Sequence, residues 1–199
     1  TYVPFAASAK VMIVYAKVDG ETKGFILPTG TPGVTVSAER EKLMGLNALP
    51  FYSVALNGVK LPKTNLLPGD FGPVQDASRL AVAAMAIGVA KAAFDYSRAY
   101  AKDRDVFGVK VAQKQVIAFM LAEMAIEIEA MRALTWEAAW MLDAGKPEAS
   151  KHAYLAVTGA ADMVMMVTDR AVQILGGHGY IREHPVELFM RNGRGFATF

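Results

Sequence analysis

Three glycines in four residues, Gly176, Gly177 and Gly179, follow a long apolar-periodic run that ends at Leu175. Glycine has no Cβ atom, so it can end a helix with a positive φ angle and lets a backbone or a ligand come close. The pattern therefore has two interpretations. It predicts either a helix end that leads into a turn, or the floor of a site for a large flat or phosphorylated cofactor.

A second group of residues with chemical potential lies upstream. Arg104 is followed by Val106, Phe107 and Gly108, and Gln115 comes eight residues after Phe107. A guanidinium in a loop can hold a phosphate through two hydrogen bonds, and a nearby aromatic ring can cover a flat group. The alternative interpretation is an exposed arginine at a helix end, with Phe107 anchoring the loop.

A charged pair opens the first long apolar segment. Asp76 and Arg79 stand three residues apart near the predicted start of a helix. An aspartate at this position offsets the helix macrodipole, and Arg79 can pair with it. On the residues alone, this structural role is sufficient to explain the pair.

Composition excludes several other kinds of chemistry. The 199-residue chain has no cysteine, and its three histidines, His152, His178 and His184, lack ligand spacing, so we expect no metal site. The net charge is +2 and the basic residues are scattered, which argues against a nucleic-acid partner. The longest uncharged apolar run, residues 80–90, is shorter than the roughly 20 residues that span a bilayer. We therefore expect no membrane insertion.

The two candidate groups, in this order and spacing, resemble the C-terminal part of an acyl-CoA dehydrogenase, a flavoenzyme family. The segment 180–187 and the pair Met190-Arg191 are also similar to the family. Residues 42–67 resemble the end of the family's middle β-domain. The resemblance covers almost the whole chain but only about the later half of a typical member, so we expect a fragment of a longer protein.

The resemblance implies FAD as the cofactor and a set of residues that contact it. Family members use the matching arginine, phenylalanine and glutamine around the pyrophosphate and adenosine of FAD, often across a subunit interface. The matching glutamine and glycine-loop backbone form the other half of that site. The implied cofactor-binding residues are Arg104, Val106, Phe107, Gln115, Gln173, Gly176 and Gly177.

The same resemblance assigns Asp76 and Arg79 to the acyl-CoA pocket, as substrate-binding residues. Tyr2 falls where members carry an aromatic that touches the flavin, although Pro4 offers neither a hydroxyl nor an N–H donor. Tyr2 is therefore either a flavin contact or an ordinary strand residue. His178 stands where asparagine is common in the family.

The family's reaction removes a proton from Cα of an acyl-CoA thioester and passes a hydride from Cβ to the flavin. The base is a glutamate, and Phe199 matches the aromatic residue just before its usual position. Ser78 occupies an alternative position for the base, but a hydroxyl is too weak an acid–base group for this role. We therefore expect no catalytic base within the chain, and a base directly after Phe199 or none.

Family membership also implies an acyl-CoA substrate, a homotetramer or dimer, electron transfer to an electron-transfer flavoprotein, and a location in the bacterial cytoplasm or the mitochondrial matrix. Two other functions remain open. One is a non-catalytic partner subunit that supplies Arg104 and Gln173 to a neighbour's flavin. The other is a helical interaction module without a cofactor.

The elements that position these residues predict an α+β fold in two parts. Residues 1–70 show short strand patterns and turn signals, which predict a small antiparallel barrel or sandwich at the end of a β-domain. We expect Asp19-Gly20 to lie in a loop longer than two residues, Val34–Val36 to form a strand, and Asn57-Gly58 to form a tight hairpin between residues 51–56 and 59–62.

Residues 71–199 predict an antiparallel helical bundle. Apolar residues at helical spacing predict helices over residues 74–102, 112–142 and 148–175, with a short fourth helix over 185–190. Residues 80–90 are apolar almost all round, which predicts a helix that is buried on most sides. The methionines of the second helix are expected to fill the core.

Overall fold

The computed structural model describes residues 1–198, so Phe199, on which the prediction about the base depends, lies outside the described residues. The chain divides into two compact units, Thr1–Val74 and a second unit from Gln75 onward. The first contains antiparallel strands and the second is helical, so the predicted α+β class is confirmed. The boundary between residues 70 and 71 stays a prediction.

Two small antiparallel sheets form the first unit. Strand β5 (Phe51–Leu56) lies between β1 (Tyr2–Pro4) and β4 (Val34–Val36). Strands β2 (Val11–Val18) and β3 (Glu21–Pro28) form the second sheet. Side chains from both sheets meet in one buried cluster: Ala6, Met12, Leu27 and Val54. The two sheets therefore share one small core, as expected of the small antiparallel barrel or sandwich that the strand pattern predicts.

The turn between β2 and β3 is tighter than predicted. Val18 pairs with Glu21, so the connection contains Asp19 and Gly20 alone. Both residues have positive φ angles, 52° and 87°, as a two-residue type I′ turn requires. The expected longer loop was wrong because aspartate tolerates the left-handed conformation that lets the strands continue up to the turn.

The tight hairpin predicted at Asn57-Gly58 was also wrong. Residues 59–62 form no strand, and β5 already pairs with β1 on one edge and with β4 on the other. The backbone N–H of Asn57 donates to the Gly33 carbonyl at 2.9 Å, which extends the contact with the β4 side. Strand β4 already pairs with residues 54–56, the half of β5 next to this turn, and Pro62 lacks the N–H that pairing needs.

The helices of the second unit confirm the predicted order. They are α1 (Gly72–Asp103), α2 (Gln115–Asp143), α3 (Ala149–Leu175) and α4 (Val186–Gly195). Helix α3 packs against both α2 and α4. A short turn that contains Gly145, at φ 60°, joins α2 to α3 and makes them antiparallel neighbours. The fourth helix was predicted to end at Met190, whereas α4 continues to Gly195.

Helix α1 is less buried than its sequence predicts. Leu80 and Ile87 lie on a buried face together with several alanines, whereas the Met85 side chain is 51% exposed. The expected burial on most sides was wrong for the described chain, because α1 has neighbours along one face. On length and composition, α1 could cross a bilayer, with a mean hydropathy of 1.5 over a window that is 33% buried. The core helices of soluble proteins can have the same length and composition, so these two properties are weak evidence for a membrane span.

The burial pattern of α3 predicts unequal costs for two identical substitutions. Leu175 is 4% exposed and Leu155 is 49% exposed on the same helix. We expect Leu175→Ala to lower the free energy of unfolding by about 2–4 kcal/mol, because it leaves a cavity. Leu155→Ala should change it by less than about 0.5 kcal/mol. Urea unfolding followed by circular dichroism measures both values, and equal losses would contradict this burial pattern.

Candidate functional site

Two loops lie at the same end of the helical unit. The arginine loop, residues 104–114, joins α1 to α2, and the glycine turn, residues 176–179, follows α3. Because α2 and α3 are antiparallel, the end of α3 lies beside the beginning of α2, where Arg170 forms an ion pair with Glu123. The Tyr100 hydroxyl, on the last turns of α1, hydrogen-bonds to Nδ1 of His178 at 2.7 Å. The predicted halves of the cofactor site are thus neighbours in one chain.

The arginine loop presents an exposed aromatic ring on a strained turn. A small hairpin, β6 (Asp105–Val106) and β7 (Val109–Lys110), turns through Phe107 and Gly108 at φ 55° and 77°. A non-glycine residue in this conformation costs roughly 1–2 kcal/mol. The Phe107 side chain is 94% exposed, with the Lys114 ammonium 5.4 Å from its ring centroid. The tip therefore combines backbone strain with an exposed ring, and such strain clusters at functional sites.

Three polar side chains near these loops remain available. Arg104 has a fixed backbone, because its N–H donates to the Tyr100 carbonyl and its carbonyl accepts from the Val111 N–H, both at 2.9 Å. Its guanidinium has no ion pair or hydrogen bond among residues 1–198. Gln115 and Gln173 are exposed and likewise lack side-chain partners in that range. The neighbouring Val106 is half-buried.

The three glycines of the turn differ in backbone conformation and in the space available for a Cβ atom. Gly176 has φ 57° and ψ −129°, a conformation that side chains disfavour. A Cβ on Gly179 would lie 2.2 Å from the Val172 carbonyl oxygen. Gly177 has an ordinary φ, and a Cβ there would meet nothing within 4 Å. The described fold does not need a glycine at position 177, which fits the close approach of a ligand.

Sequence reasoning missed the contacts that join two tyrosines of α1 to two histidines in and after the turn. Tyr100 contacts His178, and the Tyr96 hydroxyl hydrogen-bonds to Nδ1 of His184 at 2.8 Å. The two tyrosines are four residues apart, which places them on one face of α1. That spacing was visible in the sequence. Nothing local to either histidine indicated its partner.

Asp76 and Arg79 lie away from the two loops. The carboxylate of Asp76 is buried and accepts hydrogen bonds from Arg79, at 2.5 Å, and from the Ser150 hydroxyl, at 3.2 Å. The Arg79 guanidinium lies 5.5 Å from the centre of the Tyr154 ring. These contacts join the start of α1 to the start of α3. At 1.5 Å per residue, Arg79 and the end of α1 are roughly 36 Å apart.

A bidentate ion pair stabilises the first turn of α4. The Arg191 guanidinium donates to both carboxylate oxygens of Glu187, at 2.7 and 3.1 Å. The hydrogen bond from Arg191 is the main reason why the pKa of the Glu187 carboxyl lies below its usual value. The Met190-Arg191 motif that the sequence singled out therefore has a structural role in α4.

Comparison with known proteins gives a consistent match. The family described as "Acyl-CoA dehydrogenase, C-terminal domain" matches residues 75–199. The short-chain specific acyl-CoA dehydrogenase of Bos taurus mitochondria is 36% identical over 95% of this chain and 48% of its own length. The caffeyl-CoA reductase-Etf complex subunit CarC of Acetobacterium woodii is 36% identical over 100% of this chain and 55% of its own length.

A solved structure extends the similarity to the fold. Butyryl-CoA dehydrogenase from Megasphaera elsdenii superposes with a TM-score of 0.87 and 35% identity, over 100% of this chain and 54% of that protein. The chain thus spans about half the length of the curated relatives it matches.

The different environments of the turn glycines predict opposite outcomes for the same substitution. Gly179→Ala should lower the free energy of unfolding by about 1–3 kcal/mol, because the new methyl group overlaps the Val172 carbonyl. Gly177→Ala should change it by less than about 0.5 kcal/mol, since the methyl group enters open space. Thermal unfolding of the two variants checks this, and a costly Gly177→Ala would show that the turn itself requires Gly177.

Proposed function

Because the chain belongs to the acyl-CoA dehydrogenase family, we propose that it forms part of an FAD-dependent oxidoreductase acting on an acyl-CoA thioester. The reaction introduces a double bond between Cα and Cβ of the acyl group. The observation that carries the proposal is that the arginine loop and the glycine turn lie at the same end of the helical unit, where Tyr100 of α1 bonds to His178 of the turn. Each loop supplies groups that a phosphorylated, flat cofactor can use.

Particular residues of the two loops would hold FAD. In this proposal the free guanidinium of Arg104 binds the pyrophosphate, where a bidentate, charge-assisted contact is strong. Phe107, Val106 and Gln115 contact the adenosine end. Gln173 and the open backbone at Gly176 and Gly177 form the other half of the site. When bound, FAD supplies the acceptor for the hydride that leaves Cβ.

The substrate-binding role of Asp76 and Arg79 is part of the same proposal. Asp76 holds the Arg79 side chain through a buried hydrogen bond, and the Arg79 side chain is 34% exposed. Arg79 is therefore oriented and still accessible to an acyl-CoA. The reaction also requires a base that removes the proton from Cα. Ser78 is not assigned this role, because a hydroxyl is too weak a base at neutral pH.

The distance between the arginine loop and Arg79 favours an assembly of two or more copies of the chain over a monomer. The arginine loop and Arg79 are separated by roughly 36 Å along α1, so in this proposal they serve different cofactor sites of one homo-oligomer. Helix α2 exposes a set of large apolar side chains that a second copy could cover: Val116, Phe119, Ile126, Trp136 and Trp140. Exposed apolar surface of this extent is typical of an interface. The proposed assembly is a dimer or tetramer.

The electron acceptor proposed for the reduced enzyme is an electron-transfer flavoprotein. The relative CarC, at 36% identity, is named as a subunit of a caffeyl-CoA reductase-Etf complex, and Etf denotes an electron-transfer flavoprotein. The bovine relative is mitochondrial. The proposed location is accordingly the bacterial cytoplasm or the mitochondrial matrix.

The cofactor site is tested by Arg104→Ala in the intact protein. Loss of a charge-assisted bidentate contact should weaken FAD binding by roughly tenfold to a hundredfold. Quenching of flavin fluorescence during titration measures the Kd. Arg40→Ala, at an exposed position of the first unit, is the matched control and should bind FAD as the wild type does. An unchanged Kd in Arg104→Ala would contradict the site.

The assembly is tested by Ile126→Glu. The Ile126 side chain is 66% exposed in the single chain, so a charge there leaves the folded chain intact and disfavours burial against a second copy. We expect dissociation to smaller species in analytical ultracentrifugation. Ala144→Glu, in the turn after α2, adds the same charge outside the apolar set and should keep the wild-type assembly. Identical sedimentation of both variants would place the interface elsewhere.

A further inference from the structure

Four half-buried aromatic side chains form a cluster between the end of α1 and the segment that contains the glycine turn. Besides the two hydroxyl–imidazole hydrogen bonds, the Tyr100 ring lies edge-on to both His178 and His184, with centroids 6.0 and 5.7 Å away. The two imidazole rings are 5.4 Å apart. Tyr96 lies edge-on to His184 at 5.9 Å. One face of α1 thus contacts the turn and the segment after it.

The glycine turn depends on this cluster for its position. Three of its four residues have no side chain, so His178 is the residue of the turn that can be held by a side-chain bond. Glycine-rich backbone has large conformational freedom, and its ordering must come from contacts. On one side Gly179 packs against the Val172 carbonyl. On the other side His178 is bonded to Tyr100.

Tyr100 also fixes the start of the arginine loop. Its carbonyl accepts the Arg104 N–H at 2.9 Å, while its hydroxyl bonds to His178 at 2.7 Å. One residue therefore contacts both loops, and its ring is rigid and carried by a helix. The backbone of Tyr100 thus contacts the first residue of the arginine loop, and its side chain contacts the glycine turn.

We propose that Tyr100 and His178 form a positioning pair that holds the glycine turn in place relative to Arg104, and so sets the affinity for FAD. The inference rests on the proposed function, because FAD is the ligand whose binding it affects. Neither side chain needs to touch the cofactor. Tyr96 and His184 hold the segment that follows the turn in the same way.

Tyr100→Phe in the intact protein tests the pair, because it removes the hydroxyl and keeps the ring. Loss of one hydrogen bond that orders the turn should weaken FAD binding about five- to tenfold. The melting temperature without FAD should stay within a few degrees of the wild type. The ring ¹⁵N signals of His178 should shift in this variant, which reports directly on the bond to Nδ1.

A double-mutant cycle separates positioning from general damage. His178→Leu should weaken FAD binding about as much as Tyr100→Phe, and the double variant should be within about twofold of His178→Leu alone. Tyr180→Phe is the matched control, since the Tyr180 side chain is 75% exposed and its hydroxyl has no hydrogen bond among residues 1–198. It should bind FAD as the wild type does.

The outcomes distinguish this inference from the proposed function. Wild-type affinity in both Tyr100→Phe and His178→Leu, with FAD bound normally and Arg104→Ala impaired, would overturn the positioning pair and leave the cofactor site standing. Additive losses in the double variant would overturn the pair as well. A wild-type protein that binds no FAD would overturn the proposed function, and this inference with it.

Discussion

Helix α3 presents a buried face of small and branched side chains to α2 on one side and α4 on the other. Its buried residues recur every three or four positions along its full length, and alanine predominates among them. Small side chains allow helices to approach closely, as the Gly193 position of α4 shows, where a Cβ would lie 3.2 Å from the Thr168 hydroxyl. Because this packing fixes the direction and length of α3, it also fixes where the helix ends. The glycine turn therefore lies at the end of the unit where α1 ends and α2 begins.

Three of the candidate cofactor-binding side chains at that end make few contacts within the described fold. Arg104 and Gln173 are exposed and unpaired among the described residues, and Phe107 is exposed on a left-handed backbone. Asp76 shows the opposite arrangement, a buried carboxylate with two hydrogen-bond partners. Side chains that remain unpaired on a well-packed scaffold are those that can bind a ligand without first breaking an internal contact. This contrast distinguishes the arginine loop from the Asp76 pair, whose first effect is to join α1 to α3.

The errors of sequence interpretation have a common cause. Both turn dipeptides of the first unit were recognised, but the Asp19-Gly20 turn was tighter than expected and the Asn57-Gly58 hairpin did not form. A turn signal reflects local backbone preference, whereas strand pairing depends on which partner reaches the strand, and β4 pairs with the half of β5 next to the Asn57-Gly58 turn. Burial of α1 was overestimated for a related reason. An apolar sequence indicates which side chains of a helix can be buried. In the described chain, other residues pack against one face of α1.

The sequence by itself determined the helices, the strand-rich first part, the position of the arginine loop and the glycine turn, and a family resemblance that the comparisons confirm. These follow from periodicity, composition and short motifs, which are local properties of the chain. Tertiary structure alone decided that Gly179 serves packing and Gly177 does not, and that Asp76 is buried. It also paired Tyr100 with His178 across 78 positions of sequence. Contacts of that kind depend on how whole helices pack, and no local pattern encodes the separation between two helix ends.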